Sequence, residues 1–173
     1  ERLDRLAHYD VLTGLPNRSL LMDRLEQLAE HADRDGGRVG VLYLDLDHFK
    51  EVNDTLGHAA GDALLKEAAR RMKNCLRAID TVARLGGDEF VVLVPDVVQR
   101  DDLAQVARKI VDALLPPCEI DGRSAVTVAS IGISIYPDDG SDVHDVVQHA
   151  DAAMYQVKQA GRGFYRFFDA GSR

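Results

Sequence analysis

The spacing of apolar residues changes repeatedly along this chain, and each change predicts an element. Leu20, Leu21, Leu25 and Leu28 recur at helical spacing, predicting an amphipathic helix over about 18–32. Gly36-Gly37 ends it, and the nearly continuous apolar run Val39 to Leu46 predicts a buried strand. Residues 48–56 suggest a short helix and 62–78 a clear one, with Leu65, Ala69, Met72 and Leu76 on one face. Strand-like runs at 81–85 and 90–94 flank Gly86-Gly87, which reads as a hairpin because glycine reaches positive φ without steric cost. A helix follows over about 101–114, then a second long hairpin from about 118 to 136 turning at Asp121-Gly122. The last helix, about 142–160, buries Val143, Val147, Ala150, Met154 and Val157, and a short aromatic strand from Phe164 to Phe168 closes the chain. At the other end, residues 1–9 read as the end of a helix with Leu3 and Leu6 on one face, and 10–18 as a turn-rich lead-in. Helices interleaved with hairpins, without strict β-α-β alternation, predict an α+β fold with a largely antiparallel sheet.

Composition narrows the picture. The 173 residues are 46% hydrophobic and 29% charged, enough for one domain with a real core. A formal net charge of −8 argues against broad nucleic-acid binding, so an anionic ligand needs a metal or a few placed cations. Cys75 and Cys118 lack metal-ligand spacing and read as fillers in a reducing compartment. No apolar run approaches membrane-spanning length, no signal peptide is visible, and the first residue is not Met, as expected of an excised domain.

Several positions carry chemistry. Asp88 and Glu89 follow Gly86-Gly87, so two carboxylates sit at a side-chain-free hairpin tip that a polyphosphate can approach. Alone, this is also what an ordinary acidic turn looks like. Alternation along Val41 to Asp47 puts Asp45 and Asp47 on the face of Val41 and Tyr43. A carboxylate there is costly unless paired or metal-bound, or unless the strand ends in water at that point. If the strand end lies beside the hairpin, Asp45 and Asp88 can share Mg²⁺. The turn at His48-Phe49-Lys50 offers backbone N–H groups to phosphate. Asn53 supplies a donor and an acceptor for a base edge, and Asp62 suits the N1–H and amine of guanine, although Asp62 equally fits a helix N-cap. Lys158 and Arg162, four apart, fit either a phosphate clamp or a helix C-terminus. Arg77 and Asp80 make an Arg-x-x-Asp pair that by itself is a weak solvated ion pair.

Together these positions make the chain similar to the GGDEF-domain family of diguanylate cyclases. The signature stands as Gly86-Gly87-Asp88-Glu89-Phe90. The match extends from Asp10-x-Leu12-Thr13-Gly14-Leu15-Pro16-Asn17-Arg18, through Asp45-x-Asp47-x-Phe49-Lys50-x-x-Asn53-Asp54-x-x-Gly57-His58-x-x-Gly61-Asp62, to Lys158-x-x-Gly161-Arg162. The resemblance implies a ferredoxin-like core with a five-stranded, mainly antiparallel sheet, and condensation of two GTP into cyclic di-GMP with release of two pyrophosphates. It implies that Asp45, the Leu46 carbonyl and Asp88 bind Mg²⁺ or Mn²⁺, with two ions per site. Asn53 and Asp62 would read guanine. The amides of His48, Phe49 and Lys50, with Gly86, Gly87, Lys158 and Arg162, would hold the triphosphate. Lys50 would stabilise the transition state, and Asp88 or Glu89 would help deprotonate the attacking hydroxyl. Each domain would bind one GTP, so the active species would be a homodimer, in some settings a transient one. Arg77 and Asp80, with Arg108 as a second arginine, would form an inhibitory product site.

The resemblance further implies a cytoplasmic domain spanning 10–170, with 1–9 the end of a signalling helix from a sensory part of a parent that can be membrane-attached. The ending Tyr165-Arg166-Phe167-Phe168-Asp169 is similar to the exit of domains followed by an EAL phosphodiesterase. Val157 and Gly163 depart from the Ala and Asn usual at their places, without removing an expected ligand. Two other readings stand beside catalysis: a regulatory module that binds GTP or cyclic di-GMP without turnover, and a scaffold that binds no nucleotide.

Overall fold

The computed structural model describes residues 2–170, with side chains described from residue 5. Its helices are α1 (Arg2–His8), α2 (Arg18–Asp35), α3 (Phe49–Leu56), α4 (His58–Cys75), α5 (Arg100–Leu114) and α6 (Val143–Gln159). Its strands are β1 (Val39–Asp47), β2 (Thr81–Gly86), β3 (Glu89–Val94), β4 (Cys118–Ile120), β5 (Arg123–Ala125), β6 (Val128–Tyr136) and β7 (Tyr165–Phe167). Five strands form one sheet in the order β2-β3-β1-β6-β7, antiparallel except for the β6–β7 pair. The α+β architecture and the five-stranded, mainly antiparallel sheet agree with the sequence reading. The expected helical side chain Leu3 lies outside the described residues, and Leu6 is 56% exposed.

β1 is the centre of the sheet and is buried along its whole length. Both faces are covered, which is why it reads as an apolar run instead of an alternating one. Leu42, Leu44 and Leu46 pack with Phe90, Val92, Leu103 and Ile110 on one face. Val41 and Tyr43 pack with Leu21, Leu25, Val146 and Met154 on the other. Each fully buried Leu or Phe in these layers contributes roughly 1.5–3 kcal/mol.

Two boundaries differ from the sequence expectation. The expected long hairpin over 118–136 is instead two elements. β4 and β5 do turn at Asp121-Gly122, both at positive φ, but they form a separate two-stranded sheet. β6 belongs to the central sheet and pairs with β1 from Val39↔Tyr136 to Asp47↔Val128. Its partner is nearly ninety residues earlier, a pairing that local alternation cannot encode. The second difference is α4, which begins at His58, so Asp62 lies inside the helix and does not cap it.

Close packing places α6. A Cβ added to Gly132 of β6 would lie 2.0 Å from Ala150 O and 2.2 Å from Met154 N, so only glycine lets the helix rest on the sheet there. Asp142 caps the helix by accepting from His144 N at 2.9 Å. Its last turn thereby comes down over the carboxyl end of β1. At the other side of the sheet, Arg71 takes up carbonyls left open at the end of α5, donating to Leu114 O at 3.3 Å and Pro116 O at 2.6 Å. Glu67 steadies that guanidinium at 2.8 Å.

Candidate active site

The site forms where β1 ends. β1 and β3 pair so that Asp45 stands opposite Glu89, and Leu46 N donates to Asp88 O at 3.2 Å. The hairpin tip therefore lies beside the strand end, as the spacing suggested. Gly86 and Gly87 make the tip at φ 145° and 50°, conformations that a side chain would strain. Arg84 fastens the tip from behind: its Nε donates to Gly87 O and one terminal nitrogen to Asp10 Oδ1, both at 2.9 Å. Burial alone would raise the Asp10 carboxyl, but bonds from Thr13 and Arg84 hold it below its ordinary value. The sequence reading assigns Arg84 no role; the one signal it offers is a cation within an otherwise apolar strand.

The carboxylates at this end are not balanced by one another. Burial, contact with the Asp45 carboxyl and its charge push Asp88 up to about 7, against the opposing pull of Lys158. Asp45 Oδ2 accepts from Lys158 Nζ, while its Oδ1 is buried with no hydrogen-bond partner. Glu89 accepts from Tyr43 at 2.9 Å, and burial with this bond holds the phenol far above its ordinary value. Asp151 of α6 adds another carboxyl. Partial desolvation, Glu89 and Asp45 raise it, and Arg18 and Lys158 oppose the rise.

An orphaned buried oxygen on Asp45 and a carboxyl raised by its neighbour both suit a divalent cation between Asp45 and Asp88. Among the described residues, no three His, Cys, Asp or Glu side chains converge as a ready-made cage. Two carboxylates and a carbonyl are the sparse donor set that Mg²⁺ takes when phosphate oxygens complete its shell.

The other expected residues gather around this end. His48 is the N-cap of α3 at φ 64°, with no side-chain cap bond. The amides of Phe49 and Lys50 open the helix, the end at which backbone N–H groups favour an anion. Asn53 on α3 lies against α4. A Cβ on Gly61 would fall 1.7 Å from Asn53 Oδ1, so Gly61 leaves the space that the amide occupies. Asp62, the next residue, is exposed. Lys158 and Arg162 close the far side, with Arg162 3.8 Å from Asp47.

Arg77 and Asp80 lie away from this cluster, before β2. Asp80 accepts from Arg77 N at 2.9 Å and from its guanidinium at 3.1 and 3.3 Å. Arg77 stands between two clefts of about 370 and 330 Å³. Arg24 and Lys73 line the first and Lys109 the second. Arg108 lines neither; it donates to Tyr165 Oη at 2.6 Å and lies against that ring.

The profile of the family described as "Diguanylate cyclase, GGDEF domain" matches residues 7–163. The chain belongs to the GGDEF family. It is 49% identical over 168 residues to the bifunctional diguanylate cyclase/cyclic di-GMP phosphodiesterase MucR of Pseudomonas aeruginosa, covering 97% of this chain and 24% of MucR. It is 43% identical over 168 residues to the cyclic di-GMP phosphodiesterase PdeR of Escherichia coli, covering 97% of this chain and 25% of PdeR. The chain spans about a quarter of the length of these curated relatives. The solved GGDEF domain of TpbB from Pseudomonas aeruginosa superposes with a TM-score of 0.91 at 40% identity, covering 94% of this chain and 95% of that one. The coiled coil and GGDEF domain of DgcB from Caulobacter crescentus, solved in complex with c-di-GMP, gives 0.88 at 28% identity over 96% and 88% of the two chains.

Proposed function

We propose that this domain is an active diguanylate cyclase, joining two GTP into cyclic di-GMP with release of two pyrophosphates. The observation that carries the reading is the apposition of Asp45 and Asp88, an unpartnered buried oxygen beside a carboxyl held near neutrality. Asp45, the Leu46 carbonyl and Asp88 would hold divalent cations, Mg²⁺ or Mn²⁺, two per site. When bound, they neutralise charge on the leaving pyrophosphate and make the attacking hydroxyl more acidic. The protein's part is positioning. The amides of His48, Phe49 and Lys50, the open backbone at Gly86 and Gly87, and the cations of Lys158 and Arg162 hold the triphosphate. Asn53 and Asp62 read guanine. Asp88, or Glu89 held by Tyr43, takes the proton of the 3′-hydroxyl, and Lys50 faces the developing charge. The hydroxyl comes from GTP on a second domain, so turnover requires two copies face to face. Product bound at Arg77 and Asp80, with Arg108 as the expected second arginine, restrains it.

The second reading is a regulatory module that binds nucleotide without turnover. Relatives named as phosphodiesterases at 40–43% identity favour it. One experiment separates the two: concentrated protein with GTP and Mg²⁺, followed by chromatography and mass detection. Cyclic di-GMP that disappears in Asp88→Ala establishes the cyclase. GTP binding without product, even in an artificially enforced dimer, establishes the module.

A further inference from the structure

Asp47 has no part in the chemistry above, yet it is the better-bound of the two carboxylates on β1. It is 3% exposed. Ser130 Oγ lies 2.9 and 2.7 Å from its two oxygens and donates to the carboxylate. The Gly163 N–H donates to Oδ2 at 3.2 Å and reaches Ser130 Oγ at 3.3 Å. The Arg162 guanidinium stands 3.8 Å from Oδ1 with 43% of its side chain exposed.

The segment held in this way is strained. Gly161, Arg162 and Gly163 have φ of 127°, 68° and 75°, three positive values in succession. Glycine adopts such angles freely, but Arg162 carries a Cβ that the left-handed region crowds against the backbone. Strain of this kind persists only where the surroundings impose it. Arg162 N donates to Val157 O at 3.0 Å, which ends α6 but leaves the course of the turn open. The bond from Gly163 to Asp47 and Ser130 ties the last residue of the turn to β1 and β6, and the Phe164 carbonyl, next in the chain, accepts from Ile131 N at 3.0 Å. An Asp at this place also leaves one side of Arg162 facing a buried negative charge and the other facing solvent.

We propose that Asp47 is a positioning residue: through Ser130 and Gly163 it fixes the turn at 161–163, and with its charge it orients Arg162, so that Lys158 and Arg162 form a preassembled clamp for the triphosphate. This rests on the GTP-binding reading above. Asp47→Asn isolates the charge. The amide oxygen can still accept from Gly163, and the amide nitrogen can donate to Ser130, but the counter-ion of Arg162 is gone.

The test is a cycle of Asp47→Asn and Arg162→Ala, with calorimetric binding of α,β-methylene GTP in Mg²⁺ and steady-state turnover of GTP. Asp47→Asn is expected to weaken binding about tenfold and raise KM alike, with kcat within about threefold, because the loss is in ground-state binding. The double variant is expected to bind no more weakly than Arg162→Ala alone, since both remove one function. Losses that multiply, or an Asp47→Asn domain that binds like the parent, would overturn the assignment while leaving the functional reading intact. A parent that binds no GTP overturns both. If Asp47→Asn does not fold, Ser130→Ala carries the test: it removes the hydroxyl but keeps the charge. It is expected to weaken binding about threefold, again without adding to Arg162→Ala, and additive losses sink the proposal.

Discussion

Two acidic centres in this domain are built in opposite ways. At Arg77 and Asp80, a carboxylate is fully answered: its two oxygens take three donors from one arginine, and cation and anion cancel. At Asp45 and Asp88, two carboxyls meet with a single lysine between them and an oxygen left without a partner. The first centre is complete within the chain, and its arginine still presents a half-exposed guanidinium to two clefts. The second leaves an oxygen and a like-charge contact unanswered by the described residues, as expected of a cation site on the cyclase reading. Holding Asp45 and Asp88 together costs folding free energy, which is a common mark of a functional site.

The sharpest way to break this comparison is Asp88→Asn. Product formation should fall by at least about 100-fold, because a ligand to the charge-stabilising cation is gone. The metal-free domain should nevertheless become more stable at pH 8. A carboxyl raised from 3.8 to about 7 binds its proton more tightly when folded, so stability is lost as pH rises through that window. Removing the charge recovers it, by about 1 kcal/mol after discount for partial exposure. Thermal melts with and without Mg²⁺ check both signs: Mg²⁺ should stabilise the parent and not the variant. A variant less stable than the parent at pH 8 would remove the repulsion from the account.

Arg77→Ala attacks the balanced centre. Sensitivity to added cyclic di-GMP should fall by about 30-fold, the loss of a charge-assisted contact with the product. An unchanged inhibition curve would mean that product does not bind there. If Asn53 reads the base, Gly61→Ala is expected to weaken GTP binding about tenfold, because the new methyl displaces the Asn53 amide. Retention of parental affinity would remove Asn53 from the base site. The smallest effect concerns Glu67, which bonds to Arg70 and Arg71 hold down to about 2. Its contribution is present above the unfolded value of 4.5 and disappears as pH falls towards 2. Glu67→Gln should cost about 0.5 kcal/mol at pH 7 and nothing at pH 2 in denaturant melts.

The sequence by itself determined most of the elements and nominated the residues that could carry chemistry. Apolar period sufficed for α2, α5 and α6 and for β1 to β3, because each buries a continuous stripe or run. The Gly86-Gly87 turn was legible because glycine is the residue that reaches such angles without strain. Motif order also singled out Asp45, Asp88, Asn53, Lys158 and Arg162 as candidates. What the tertiary structure alone decided was which of these groups are satisfied. Asp45 and Asp47 look equivalent in sequence, two residues apart on one face of β1. Only the pairing of β6 with β1 brings Ser130 to Asp47, and only the course of the chain after α6 brings Gly163 there. Neither reaches Asp45 Oδ1. The same non-local pairing separated β6 from the β4–β5 hairpin, and the packing of Gly132 against α6 set Lys158 over the site. Local sequence carries propensity and side-chain type. Partners brought together across eighty residues and more are chosen by how the whole core closes, and it is those partners that separate the half-satisfied carboxylate of Asp45 from the fully bonded one of Asp47.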